Sequence, residues 1–133
     1  MGTLIDSSVL VALERRTRPV RDILAEQAEQ LFFISAMTAS ELLHGVHRAA
    51  TADQRVRREA FVERLLSTLP VIPFDLAVAR SHARLWAELA ARGAIVGQHD
   101  LIIAATALAY GHKVATFDRR SFPKIPGLEL ETW

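Results

Sequence analysis

The sequence predicts an α/β fold, a mostly parallel central sheet of about five strands flanked by helices. Three observations lead there. Short β-rich runs such as Leu4-Ile5 and Leu31-Phe32-Phe33-Ile34 alternate with longer segments of helical periodicity. The order reads β-α-β-α-α-β-α-α-β-β, and helical crossovers are what parallel strands require. Four acidic residues, Asp6, Glu41, Asp100 and Asp118, stand where elements meet. In an open parallel sheet, strand C-termini and the following helix N-termini share one edge, and sites form there.

Leu4-Ile5 reads as a short buried strand, with Ser7 or Ser8 capping a helix over 8–16. Pro19 can start a second short helix over 19–29. Leu31 to Ile34 is a strand bounded by polar residues. Residues 38–50 put Leu42, Leu43 and Val46 on one helical face, and 52–68 form the next helix. Pro70 and Pro73 bracket the strand Val71-Ile72. Asp75 caps a helix that runs to Arg92 and closes at Gly93. Its Arg80, Arg84, Glu88 and Arg92 recur every four residues, a solvated stripe. Residues 100–110 are apolar all round, which marks a buried helix, stopped by Gly111. Strands follow at Lys113–Thr116 and Leu128–Glu131.

With 133 residues the chain is read as one domain, 1–133. Formal net charge is +1, so nothing global draws the protein to nucleic acid and any basic surface must be local. Fourteen of the 16 basic residues are Arg, which suits bidentate phosphate contacts but is more commonly a reflection of genome base composition. Cys is absent, which excludes disulfides and thiolate zinc sites. Asp6 and Glu14 interrupt the N-terminal apolar stretch, so no signal peptide is expected, and Leu101–Tyr110 is too short to cross a bilayer. A cytoplasmic protein with no membrane association is the expectation.

Each acidic residue also has a plain structural role open to it. Asp6 suits a helix cap. Thr38-Ala39-Ser40-Glu41 matches a capping box, so Glu41 can serve a backbone N–H. Asp100 can serve a helix N-terminus, and Asp118 an Asx turn before Arg119. Capping tolerates Ser, Thr or Asn, yet all four positions carry carboxylates. Gathered at one edge they suit a hard divalent cation and metal-assisted phosphodiester hydrolysis.

Four segments then carry a resemblance. Leu4-Ile5-Asp6-Ser7-Ser8-Val9-Leu10 resembles the opening of the PIN domain family. Glu41-Leu42-Leu43-His44-Gly45 is similar to its E-L-x-x-G element, and Asp100 to Ala107 to its D-x-x-I-A-A-T-A block. Ala115 to Phe122 resembles its T-x-D-x-x-F segment. Phe117 departs from the family pattern, where a small or polar residue is common, and Ser121 stands in place of a common acidic residue. Length and order resemble the VapC-type toxins of bacterial toxin–antitoxin pairs.

The resemblance implies a Mg2+- or Mn2+-dependent endoribonuclease toxin acting on RNA, tRNA or rRNA. It also implies a cognate antitoxin protein and a homodimer. On that basis Asp6 and Asp100 are the primary metal ligands. Glu41 and Asp118 complete the set directly or through water. Ser7 and Thr116 are candidate hydroxyl donors to the ligating carboxylates. Arg119 and Arg120 flank Asp118 as candidate RNA contacts, with Arg48, Arg55, Arg57 and Arg58 a second local group. Gly45 leaves room either for RNA or for helix packing.

Other classes fit less well. His44 and His47 are spaced i, i+3, unlike the i, i+4 pair of a zinc protease. His99-Asp100 resembles the dyad of HD phosphohydrolases, but upstream histidine ligands on a helical scaffold are lacking. The alternatives kept open are a non-catalytic PIN-like module that binds RNA or protein, and a phosphatase acting on small substrates. Trp86 and Trp133 read as packing residues rather than base-stacking platforms. Leu42, Leu43, Val46, Phe61, Val62, Leu65 and Leu66 present more apolar surface than one helix–helix contact needs. Part of it is expected to bury an antitoxin segment or a second protomer.

Overall fold

The chain runs β1 (Thr3–Ile5), α1 (Ser7–Glu14), α2 (Val20–Ala25), β2 (Phe32–Ser35), α3 (Ala36–His47) and α4 (Ala52–Thr68). It continues through β3 (Val71–Ile72), α5 (Leu76–Ala91), α6 (Gln98–Ala109), β4 (Lys113–Ala115) and β5 (Leu130–Glu131). The structure is a computed structural model and describes residues 1–15, 20–26 and 30–131. The expected helix start at Pro19 and the packing role of Trp133 lie outside the described residues.

The strands order as β3-β2-β1-β4-β5, and every adjacent pair is parallel. Even β4 and β5 are parallel, although a short 3-10 turn, Phe122–Lys124, replaces a crossover helix between them. That turn seats Phe122 fully inside the core. Because side chains alternate along a strand, β1 feeds both faces of the sheet. Leu4 joins the core formed with α5 and α6, including Val78, Leu85, Ile103 and Val114. Ile5 joins the other core, with Val9, Leu10, Leu42, Val46, Val62 and Leu65.

This second core narrows one expectation. Leu42, Val46, Val62 and Leu65 are buried within it, and Leu43, Phe61 and Leu66 pack against it. Four of the seven residues are thus used inside the fold, which leaves only the half-buried Leu43, Phe61 and Leu66 for a partner. Trp86 departs from expectation in the opposite sense. It is 63% exposed, tilted against His82 with ring centroids 5.6 Å apart.

Helix starts differ from the sequence expectation for a local reason. Asp6, not Ser7 or Ser8, is the N-cap of α1, and its side chain makes no capping bond. Ser35 caps α3, accepting from the Thr38 N–H at 3.0 Å, so α3 begins earlier than expected. Glu41 therefore sits mid-helix, and the capping-box role proposed for it is excluded. Asp75 caps α5 as expected, accepting from the Val78 N–H at 3.0 Å, and also accepts from the Tyr110 hydroxyl. Gly93 and Gly111 end α5 and α6 with φ of 65° and 69°, backbone that glycine adopts freely.

At the sheet end remote from the acidic residues, His112 locks the N-terminus. Its Nδ1 accepts from the Gly2 N–H at 3.0 Å, and its ring stacks on Phe33 at 4.6 Å. A Cβ on Gly2 would meet Phe33 Cε2 at 2.6 Å, so only glycine permits this approach. Burial holds the imidazole below its ordinary value of 6.5. The unfolded chain then takes up this proton first, so stability is full above the ordinary value and is lost as pH falls through it toward the lower folded value. Between about pH 7.5 and about pH 5.5, wild type should lose more melting temperature than His112→Gln, which has no proton to gain there. Equal losses in a thermal melt series would rule this lock out.

Candidate active site

Strand β1 is where the connection order reverses, with β2 and β3 on one side and β4 and β5 on the other. In open parallel sheets the crevice at such a switch point, beyond the strand C-termini, is where ligands bind. Asp6 follows β1 directly and Thr116 follows β4, with the Asp6 N–H donating to the Ala115 carbonyl at 2.9 Å. Glu41 comes from the middle of α3, and Asp100 from the first turn of α6.

Asp6 is the most enclosed of the four, at 4% exposure. A buried carboxylate needs hydrogen-bond donors. Ser8 Oγ donates to its Oδ2 at 2.8 Å and Thr116 Oγ1 donates to the same atom at 2.9 Å. Both side chains are thus committed to aiming one carboxylate. Glu41 Oε1 accepts from Ser7 Oγ at 3.4 Å, and its Oε2 stands 3.5 Å from His99 Nδ1.

Mutual charge links the cluster. Burial pushes the Glu41 carboxyl above the ordinary range, the negative charges of Asp6 and Asp100 add to this, and His99 opposes it. Burial likewise raises Asp100; the Ser121 hydroxyl opposes this, while Asp118 and Asp6 push it higher. Like charges a few ångströms apart disfavour common ionisation, and a cation between them removes the penalty. Among the described residues, however, no three acidic or histidine side chains already stand close enough to share one ion.

Asp118 performs the plain role open to it as well. Its Oδ1 accepts from the Arg120 N–H at 2.8 Å and from the Ser121 N–H at 3.4 Å, an Asx-type turn. The same turn keeps it beside Asp100, where its charge is felt. Arg119 and Arg120 are exposed beyond it.

Three contributors escaped the sequence reading. Ser8 was weighed only as a helix cap, yet its hydroxyl serves Asp6. Ser121, expected only as the replacement of an acid, has a hydroxyl that bears on Asp100 and opposes the rise of its carboxyl. His99 was considered only as a dyad with its neighbour, whereas its partner is Glu41, 58 positions back. The Ser-Ser pair after Asp6 was the legible signal for the first; the other two depend on tertiary approach.

Elsewhere, His47 is bonded to Arg55, Nδ1 to Nη2 at 3.1 Å, and Arg58 Nη1 donates to the Gly45 carbonyl at 3.0 Å. A Cβ on Gly45 would meet nothing within 4 Å, which removes the helix-packing explanation for that glycine. Gly45 lines, with Ser7, Glu41 and Arg58, a cavity of about 360 Å³ beside the cluster.

The PIN domain family model matches residues 3–128. Ribonuclease VapC1 of Rickettsia felis is 33% identical over 132 residues, covering 99% of this chain and 96% of that one. The tRNA(fMet)-specific endonuclease VapC of Salmonella typhimurium is 35% identical over 75% of this chain and 74% of its own. Among solved structures, the DNA-bound VapBC complex of Salmonella typhimurium superposes with a TM-score of 0.88. It is 28% identical and covers 100% of this chain and 98% of the other. A family match across nearly the whole chain, joined to a relative matched end to end, places this chain in the PIN domain family, among the VapC ribonucleases.

Proposed function

We propose that the protein is a divalent-cation-dependent endoribonuclease, the toxin of a toxin–antitoxin pair, working as one domain over residues 1–133. The convergence of Asp6, Glu41, Asp100 and Asp118 at the sheet's switch point carries this reading. Their all-oxygen donor chemistry fits Mg2+ or Mn2+. Burial first, and the neighbouring carboxylates after it, hold Glu41 and Asp100 above the ordinary carboxyl range, a penalty that a divalent cation offsets.

Asp6 and Asp100 are the primary ligands. Glu41 and Asp118 complete the set directly or through water. When bound, the cation supplies polarisation of the scissile phosphate and a more acidic attacking water. The protein's own part is orientation. Ser8 and Thr116 fix Asp6, Ser121 and Asp118 bear on Asp100, and Ser7 and His99 hold Glu41. The exposed Arg119 and Arg120 meet the RNA backbone beside the cluster.

The tRNA-specific relative supports tRNA as substrate, with rRNA the other structured candidate. The VapBC complex supports an antitoxin protein as partner. A homodimer acting in the cytoplasm completes the proposal; among the described residues no helix is long and apolar enough to cross a membrane.

Cleavage of structured RNA in Mg2+ or Mn2+, lost in EDTA, tests this against a non-catalytic binding module. Asp6→Asn and Asp100→Asn should reduce cleavage to background, and near wild-type cutting by either would refute the site. Ser8→Ala keeps all four carboxylates but frees Asp6, and should lose roughly 10- to 100-fold in rate or metal affinity. Unchanged kinetics would assign Ser8 to α1 alone.

The raised carboxyls also set a stability prediction. Asp100 lies above its ordinary value of 3.8 in the fold, so at neutral pH the folded state bears a penalty that fades as pH falls through the folded value. Asp100→Asn in EDTA should therefore melt above wild type by about 1 kcal/mol, roughly 4 °C, after solvent screening. Mg2+ or Mn2+ should then raise wild type more than the variant. Identical metal shifts in the two proteins would remove Asp100 from the ligand set.

A further inference from the structure

We propose that Phe117 is a nucleobase platform, its ring stacking on an unpaired base beside the scissile phosphodiester. The substrate is then single-stranded or looped RNA rather than duplex. This rests on the ribonuclease reading above and deepens it.

Phe117 is 42% exposed. An exposed apolar side chain is common and by itself says little. What distinguishes Phe117 is its anchorage. Its backbone N–H donates at 3.1 Å to Ser8 Oγ, the hydroxyl that donates to Asp6 Oδ2. The next N–H, of Asp118, donates at 2.9 Å to Thr116 Oγ1, the other hydroxyl on that same Asp6 oxygen. Downstream, Asp118 Oδ1 holds the Arg120 and Ser121 N–H groups. Phe117 is thus clamped on both sides to the most buried carboxylate of the cluster. Among the described residues its ring has no aromatic partner, whereas Phe33, Phe74 and Trp86 each face a histidine ring.

A phenyl group on a backbone held this way loses little freedom when something stacks on it, because it has only two side-chain torsions to settle. Its flat apolar face accepts any base, provided that base is unstacked from its neighbours. Paired RNA offers no such face. The two residues after Asp118 are the exposed cations Arg119 and Arg120, so a polyanion suits this rim better than an apolar peptide.

The test is binding by the full chain carrying Asp100→Asn, which separates recognition from cleavage. Fluorescence anisotropy would follow labelled single-stranded RNA oligonucleotides, intact or with one base removed at successive positions, and their duplexes. Phe117→Ala should weaken binding of the intact strand roughly 5- to 100-fold, the range of one stacked base. Phe117→Trp should retain it. Removing the base at one position should weaken binding to the Phe117 protein but add nothing in the Phe117→Ala background. Phe117→Leu keeps apolar bulk without a π-face and should behave like Ala; thermal melts of each variant exclude unfolding as the cause.

Equal binding by Phe117→Ala, equal binding of duplex and single strand, or base-removal losses that simply add to the Phe117→Ala loss would each overturn the platform. So would a variant that binds RNA normally but no longer binds a partner protein, which would assign Phe117 to a protein contact. Absence of cleavage by wild type in Mg2+ or Mn2+ would instead defeat the ribonuclease reading, since the stacking measurement does not use cleavage.

Discussion

One buried carboxylate constrains much of this molecule. Asp6 sits at 4% exposure between the end of β1 and the start of α1, with apolar Ile5 before it and Val9 and Leu10 after. Enclosure of a charge is tolerable only if hydrogen bonds replace the lost water. The fold supplies Ser8 from the first turn of α1 and Thr116 from the end of β4. Those hydroxyls in turn receive the Phe117 and Asp118 N–H groups. A single side chain thereby ties the first strand, the first helix and the segment after β4 into one unit. The parallel pairing of Leu4 with Val114 and Ile5 with Ala115 brings those segments within reach.

The rest of the cluster is held by helices rather than strands, and this affects how it behaves. Glu41 and Asp100 project from α3 and α6, whose buried residues lie mainly in different cores, although Met37 of α3 packs against the α6 core and the two helices touch. Interiors packed this tightly do not yield to a small electrostatic push. Side-chain rotation must then absorb the repulsion between the groups. His99 beside Glu41 and Ser121 beside Asp100 are the polar partners that offset it.

Much of this was legible in the sequence, for identifiable reasons. The apolar run from Leu101 and the capping Asp75 followed by Gly93 are local signals, and local signals fixed α5 and α6 well. The acidic positions drew notice because the sequence sets a carboxylate at four expected element boundaries, more than capping requires, although Glu41 in fact sits in the middle of α3. The start of α3 was misjudged because Ser35 caps it through a hydroxyl whose role no periodicity reveals. Parallel pairing of β5 was open because its connection has no helix to announce a crossover. Which part of the seven-residue apolar surface of α3 and α4 the fold itself uses, namely Leu42, Val46, Val62 and Leu65, was not legible, because helix amphipathicity shows that a face is covered, not by what. His99 with Glu41 and Ser121 with Asp100 arise from approaches between distant segments, which one sequence without tertiary contacts does not encode visibly.

The charge distribution adds a last constraint on any polyanionic substrate. Net charge is +1, so the molecule exerts no long-range pull on RNA, and the four carboxylates repel it locally. Approach must depend on cations placed around the cluster rather than within it. Arg119 and Arg120 stand exposed on the Asp118 turn, and Arg48, Arg55 and Arg57 are exposed at the junction of α3 and α4. Arg58 is less available, because its guanidinium is engaged by the Gly45 carbonyl. Attraction by the rim and repulsion by the centre leave the centre favourable for a phosphate only once its negative charge is neutralised. In the proposed ribonuclease, substrate binding and cation binding are therefore coupled by electrostatics, each strengthening the other.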